Sequence, residues 1–314
     1  MAAVGDLALS PPKGPDDAPE PDPIAVPANE GRPVRLARTV IDRTPTFVAS
    51  KDGATWHTLA ALGIDAADTP AAIEQAEAIV AALDRGDASV TAIDGTWLSP
   101  VVRPEKMFGI GLNYMDHIRE TGADPPEVPV VFAKFPNSLN DPEGDIVVTP
   151  TVSDRVDYEV ELAVVIGRQV RDATVADALD AVFGYCVAND VSARDIQKAE
   201  AQFNRSKSFD SFCPIGPWLT SADEVPDPQG LRIRSEINGE VRQDSTTAEM
   251  IFSVRELIAF LSQRLTLKPG DVILTGTPHG VGFAMDPPRF LADGDRVRCE
   301  VEGLGGLDNR VVND

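Results

Sequence analysis

The chain has 314 residues and a mass of 33.5 kDa, room for one large domain or two. Its 43% hydrophobic and 25% charged residues permit a sizeable core and exclude global disorder. A formal net charge of −22 excludes nucleic acid binding by bulk electrostatics and disfavours an anionic membrane surface, so an anionic substrate must be drawn in by a local cation: a metal ion, an arginine or a lysine.

Residues 1–32 are rich in proline, alanine and acidic side chains and read as an extended tail. The first residues lack the cationic and apolar regions of a signal peptide, and no apolar run approaches the roughly 18–20 residues that span a bilayer. Cys186, Cys213 and Cys299 are too widely spaced for a disulfide framework or a zinc pattern. Free thiols in a cytoplasmic protein are the expectation.

Residues 33–98 read as a small α/β domain. Residues 34–40 and 45–49 are short strands, and Asp52-Gly53 is a turn. Residues 71–83 have helical apolar spacing and stop at Arg85-Gly86. His57 is taken as structural.

Residues 99–314 differ. Strands are expected at 107–111, 128–132, 145–148, 158–166, 182–188, 231–237, 272–275 and 296–301, punctuated by turns such as Asn238-Gly239 and Asp293-Gly294. Helices are few: 114–121, 175–179 and 254–264. The fold class is therefore α+β, a β-rich domain with few helices, and not a doubly wound sheet. No internal repeat or Walker A motif occurs, and the glycines of 276–282 do not fit the dinucleotide pattern.

Five constellations can carry chemistry. In the strand 158–166, Glu159 and Glu161 share a face as i and i+2. A lone E-x-E is commonly a solvated strand edge, but here the strand runs on into Leu162-Ala163-Val164-Val165-Ile166, which favours a shared cation. A second strand ends in a polar elbow with Asp190, Arg194 and Gln197; Asp190 is either a third oxygen ligand or a turn cap. Three carboxylates without a His or Cys cluster select a hard ion, Mg²⁺ or Mn²⁺, over zinc. On a helix at 114–120, His117 and Glu120 stand at i and i+3, either a general-base pair or an ordinary surface pair. Lys207 is a cationic anchor or an exposed loop lysine. Thr277, in the glycine-rich turn with His279, holds a carboxylate or simply ends a strand.

Taken together and in this order, these segments resemble the fumarylacetoacetate hydrolase family, in its bacterial acylpyruvase-like form. The similar segments are GLNYMDHIRE at 111–120, DYEVEL at 157–162, GYCVANDVSARDIQ at 184–197, KSFDSFCPIGP at 207–217, NGEVRQ at 238–243 and LKPGDVILTGTPHGVG at 267–282. The resemblance spans residues 102–314. It implies a β-rich roll of mixed sheets, a homodimer and one divalent metal per active site. By motif position it implies Glu159, Glu161 and Asp190 as metal ligands, His117 and Glu120 as the water-activating dyad on a lid, and Lys207 facing substrate. Arg194, Gln197 and Thr277 match substrate-side positions. Many relatives have a K-P-x-S-S-L-like run where this chain has Lys134-Phe135-Pro136-Asn137-Ser138-Leu139, which leaves the roles of Lys134 and Ser138 open.

The activity this implies is Mg²⁺- or Mn²⁺-dependent hydrolysis of a C–C bond in a 2,4-dioxo acid, an acylpyruvate or a fumarylacetoacetate-like compound, to a 2-oxo acid and a carboxylic acid. The same apparatus suits two alternatives. One is oxaloacetate decarboxylation; the other is isomerisation or tautomerisation of an unsaturated oxo-dicarboxylate of the 2-hydroxyhepta-2,4-diene-1,7-dioate type. A non-catalytic binding protein on this fold is the competing class, opposed by the carboxylate trio and the H-x-x-E.

Overall fold

A computed structural model describes residues 33–86, 88–93 and 95–314; the tail expected over residues 1–32 lies outside them. In chain order the strands are β1 (Arg35–Ile41), β2 (Thr44–Ser50), β3 (His57–Thr58), β4 (Trp97–Leu98), β5 (Met107–Gly111), β6 (Val130–Ala133), β7 (Leu139–Asn140), β8 (Ile146–Val148), β9 (Val156–Asp157), β10 (Val160–Ile166), β11 (Val182–Asn189), β12 (Ser192–Ala193), β13 (Cys213–Ser221), β14 (Arg232–Ile237), β15 (Glu240–Thr246), β16 (Val272–Leu274), β17 (Arg296–Val301) and β18 (Gly305–Asn313). The helices are α1 (Thr69–Glu74), α2 (Ala76–Arg85), α3 (Met115–Thr121), α4 (Arg194–Ala199) and α5 (Val254–Leu261).

The larger sheet runs β3-β2-β1-β13-β11-β10-β16-β5-β6, with β4 on β1 and β7 on β13. The second runs β15-β14-β17-β18-β8, and β9 and β12 form a short ribbon. Most pairs are antiparallel, but β16–β5, β13–β7 and β18–β8 are parallel. Mixed sheets with few helices make this an α+β fold of the expected β-rich kind. Residues 33–98 supply β1 to β4, and β1 joins β13 in register from Arg35↔Thr220 to Ala37↔Trp218.

The place of β10 in the fold explains why its sequence is apolar from Leu162 to Ile166. Val160, Leu162, Val164 and Ile166 face a core shared with Ile233, Val297 and Leu257. Ala163 and Val165 face a second core with Leu36, Phe47 and Ile79. Alternate side chains of one central strand thus fill two layers, and its one polar residue, Glu161, stands near the end that lines the cavity.

Several expectations need adjustment. The helix expected at 71–83 is two: α1 ends at Glu74 and α2 begins at Ala76, although the stop at Gly86 holds, with φ 69°. No α-helix forms at 175–179; a 3₁₀ turn at Ala178–Ala181 leads into β11 instead. The strand expected at 158–166 begins only at Val160, so Glu159 sits just ahead of β10. No helix among the described residues is long and apolar enough to cross a membrane.

Candidate active site

The site lies where the β10 ladder opens. On one side β10 pairs with β11, Val160 opposite Asn189 and Glu161 opposite Ala188, and the Asp190 N–H donates to the Glu159 carbonyl at 2.8 Å. This pairing sets Asp190 beside the two glutamates. One carboxylate oxygen from each of Glu159, Glu161 and Asp190 lies within 4.8 Å of the others, and all three residues are buried. On the other side β16 pairs only with Ala163 to Val165. Beyond that, side chains replace the missing strand. Thr277 Oγ1 donates to the Val160 carbonyl at 2.9 Å, and Gln243 Oε1 accepts the Val160 N–H at 3.1 Å. The Gly276 N–H donates to Glu161 Oε2 at 2.7 Å.

Three cations, the buried Lys207 and Lys134 and the largely buried Arg194, meet these carboxylates. Lys207 Nζ lies 2.5 Å from Glu159 Oε2 and 2.8 Å from Asp190 Oδ2. Lys134 Nζ donates to Asp190 Oδ1 at 2.7 Å and also to the Lys207 carbonyl. Arg194 reaches Asp157 Oδ2 through Nε at 2.9 Å, Glu159 Oε1 through Nη2 at 2.7 Å and Gln197 Oε1 through Nη1 at 3.0 Å. Burial pushes the Glu159 carboxyl up, but Lys207 and Arg194 outweigh it and hold the group down to about 2. Among the described residues Glu161 has no such ion pair. Burial, then Asp190 and Glu159 beside it, raise its carboxyl well above the usual range. Lys207 stays charged despite burial because Asp190 and Glu159 raise its pKa.

This donor set fits a hard divalent cation. It offers three converging carboxylate oxygens, and burial together with Asp190 and Glu159 disfavours the ionised form of Glu161, a cost that added positive charge would relieve.

A helix brings an imidazole to this cluster. α3 carries His117, whose Nδ1 lies 3.2 Å from Glu120 Oε2, and Glu120 Oε1 accepts the Gly280 N–H at 2.9 Å. A carboxylate accepts only, so the proton is assigned to Nδ1 and Nε2 is left free. Asp116 Oδ2 accepts from Ser245 Oγ at 2.5 Å, which ties the start of α3 to β15. The Phe283 ring meets His117 edge-on at 6.2 Å and lies under the Arg194 guanidinium at 4.4 Å.

A cavity of about 510 Å³ joins these parts, and His117, Glu159, Glu161, Arg194, Gln197, Lys207 and Thr277 all line it. Asp190 and Glu120 stand directly behind, on Lys207 and His117. His279 sits at the rim, its N–H on Asp116 Oδ1 at 3.3 Å. His57 lies elsewhere, with Nδ1 on the Ser89 carbonyl at 3.0 Å. Sequence reasoning gave no role to Asp157, Gln243 or Phe283. Asp157 accepts N–H groups from Gly282 and Phe283 at 2.8 and 3.1 Å as well as Arg194. Its only signal was its place in DYEVEL; that of Gln243 was NGEVRQ.

The fumarylacetoacetate hydrolase C-terminal family model matches residues 106–312, and the chain belongs to this family of enzymes. Among curated relatives it is 46% identical over 246 residues to the mitochondrial oxaloacetate tautomerase FAHD2A of Bos taurus, covering 76% of this chain and 78% of that one. Among solved structures it resembles the fumarylacetoacetate hydrolase of Exiguobacterium antarcticum, with a TM-score of 0.77, 34% identity and coverage of 90% and 100% of the two chains. It also resembles the maleylpyruvate hydrolase of Sphingobium sp. SYK-6 in complex with manganese(II) and pyruvate, with a TM-score of 0.74, 30% identity and coverage of 89% and 99%.

Proposed function

We propose that this chain is a divalent-metal-dependent enzyme that interconverts the keto and enol forms of a 2-oxo dicarboxylic acid, with oxaloacetate as the first substrate to test. The observation that carries this reading is the convergence of Glu159, Glu161 and Asp190 in a cavity that His117 also lines. The 46% identity to a bovine oxaloacetate tautomerase supports it. The three carboxylates would hold Mg²⁺ or Mn²⁺, and a bound ion would supply positive charge for the 2-oxo oxygen. His117 Nε2 would take a proton from the carbon beside the oxo group and deliver one to the oxo oxygen; the reverse route restores the ketone. Glu120 would hold the imidazole in the tautomer this needs and stabilise it when protonated. Lys207 would add positive charge beside the substrate, and Arg194 would hold Glu159 and Gln197 in place.

A second reading is hydrolysis of a 2,4-dioxo acid. The same His117–Glu120 pair can deprotonate water, and a structural neighbour is a maleylpyruvate hydrolase with manganese and pyruvate. A homodimer belongs to either reading.

The test follows the ultraviolet absorbance of enol-oxaloacetate with Mg²⁺ present. The protein should speed its decay over Mg²⁺ alone without releasing CO₂, and His117→Ala should lower kcat by about 10²–10⁴. No acceleration contradicts the reading. CO₂ release would assign decarboxylation instead, and cleavage of acylpyruvate to pyruvate plus acid would assign the second reading.

A further inference from the structure

Residues 200–212, between α4 and β13, form neither helix nor strand, yet they place the Lys207 ammonium 2.5 Å from Glu159 and 2.8 Å from Asp190. A lysine has a long, flexible stem, so its charge is only as fixed as its backbone and its partners. The backbone is held by a second segment lying alongside. The Ala133 N–H donates to Asn204 Oδ1 at 3.2 Å, and the Phe135 N–H to Ser208 Oγ at 3.0 Å. Asn137 Nδ2 donates to the Ser208 carbonyl at 2.9 Å and to Asp210 Oδ1 at 2.8 Å. Between these contacts, Lys134 Nζ donates to the carbonyl of Lys207 itself. The same ammonium lies on Asp190 Oδ1 at 2.7 Å, and the other oxygen of that carboxylate takes Lys207 Nζ. Lys134, Asp190 and Lys207 thus close a ring through two side-chain ion pairs and one backbone carbonyl.

The holding segment is itself fixed at both ends. The Lys134 N–H donates to the Met107 carbonyl at 3.0 Å, beside the β5–β6 pair, and β7 lies parallel to β13 with Leu139 opposite Cys213. Ser138 closes the turn between them, donating from Oγ to the Phe135 carbonyl at 2.7 Å. Lys134, Ser138, Asp190 and Lys207 are all buried, where an ammonium without partners would be costly. Lys207 lines the cavity and Lys134 does not.

We infer that residues 133–138 clamp the Lys207 segment, and that Lys134 is a positioning residue that fixes the Lys207 backbone and Asp190 together and so sets where the Lys207 charge meets an anionic ligand. The meeting with an anionic 2-oxo acid rests on the proposed function; the clamp rests on the contacts alone. Lys134 acts through Lys207, so its effect on ligand binding disappears when the Lys207 ammonium is removed.

The test has two arms. The first is hydrogen exchange of the whole protein read by mass spectrometry. The Lys207 and Ser208 N–H groups, bonded to the Phe203 and Arg205 carbonyls, are the reporters. Lys134→Met should speed exchange across 203–212 by about fivefold or more while leaving α5 and β17 at the wild-type rate. Asn137→Ala, at an exposed side chain, gives the same local readout if Lys134→Met does not fold. The second arm is calorimetric binding of oxalate, a small dianion, at saturating Mn²⁺. Lys134→Met should weaken oxalate about tenfold, the scale of one misplaced charge-assisted hydrogen bond, and by less than about threefold in the Lys207→Met background. Asn137→Ala, which touches neither Asp190 nor the Lys207 side chain, should show a smaller loss with the same dependence on Lys207. Equal losses in both backgrounds would overturn positioning through Lys207. Unchanged exchange across 203–212 in the folded variants would overturn the clamp and leave the proposed function standing. Failure of the wild-type, Mn²⁺-loaded protein to bind oxalate would overturn the proposed function and with it the role of the Lys207 charge, while the exchange arm still decides the clamp.

Discussion

The Gly280 N–H donates to Glu120 Oε1 at 2.9 Å, so the carboxylate that orients His117 is anchored to the glycine-rich loop across the cavity mouth. Gly280 has φ +97°, and a Cβ there would sit 2.0 Å from the Arg242 carbonyl. Gly280→Ala must move the loop, and Glu120 with it. Urea melts should show a loss of about 1–3 kcal/mol, accompanied by a fall in kcat. Wild-type stability and turnover in this variant would mean that the loop does not set the dyad.

Glu120→Gln removes charge but little volume. The amide can present its N–H₂ to His117 Nδ1 and so favour the wrong tautomer. kcat should drop about 10-fold or more, with the pH profile displaced, while Mg²⁺ affinity holds. A pH–rate profile identical to wild type would remove Glu120 from the dyad.

Asp157 is buried and accepts from Arg194, Tyr158, Gly282 and Phe283. Asp157→Ala leaves part of a buried guanidinium and two loop N–H groups without partners. Chemical denaturation should show destabilisation of about 3 kcal/mol or more. A loss below about 0.5 kcal/mol, the usual scale for surface substitutions, would show that water replaces these contacts easily.

All three cysteines are buried and free. Burial pushes the Cys213 thiol up to about 12, against the nearby Lys134 ammonium, and raises Cys186 and Cys299 as well. A raised thiol pKa means that the reactive thiolate is missing from the folded protein at pH 8 and appears only as pH climbs towards that value. Iodoacetamide at pH 8 should label none of the three until denaturant is added. Stoichiometric labelling of the native protein would contradict their burial.

How much of this was legible in the sequence depended on how local each signal was. β17 is legible as Arg296–Val301 because alternation marks it, and α3 because helical spacing and Gly122 delimit it. β13 carries Pro214 and Pro217, which read against a strand, yet it lies between β1 and β11. Its burial among partners from distant segments overrides the local preference. The carboxylates were legible because Glu159 and Glu161 are two residues apart. Gln243 and Asp157 were not, because their partners are 83 and 37 residues away in Val160 and Arg194. Lys134 was left open and proves to be buried on Asp190, 56 residues away. No spacing rule reaches such pairs.

The most direct measurement is calorimetric titration of the metal-free protein with Mn²⁺, alongside Glu161→Gln. The wild-type chain should bind one ion, and the amide variant should lose most of that affinity, since Glu161 lacks the lysine and arginine contacts that engage Glu159. A flat titration of the wild-type protein, or equal affinity in the two proteins, would contradict a metal centre built on these three carboxylates.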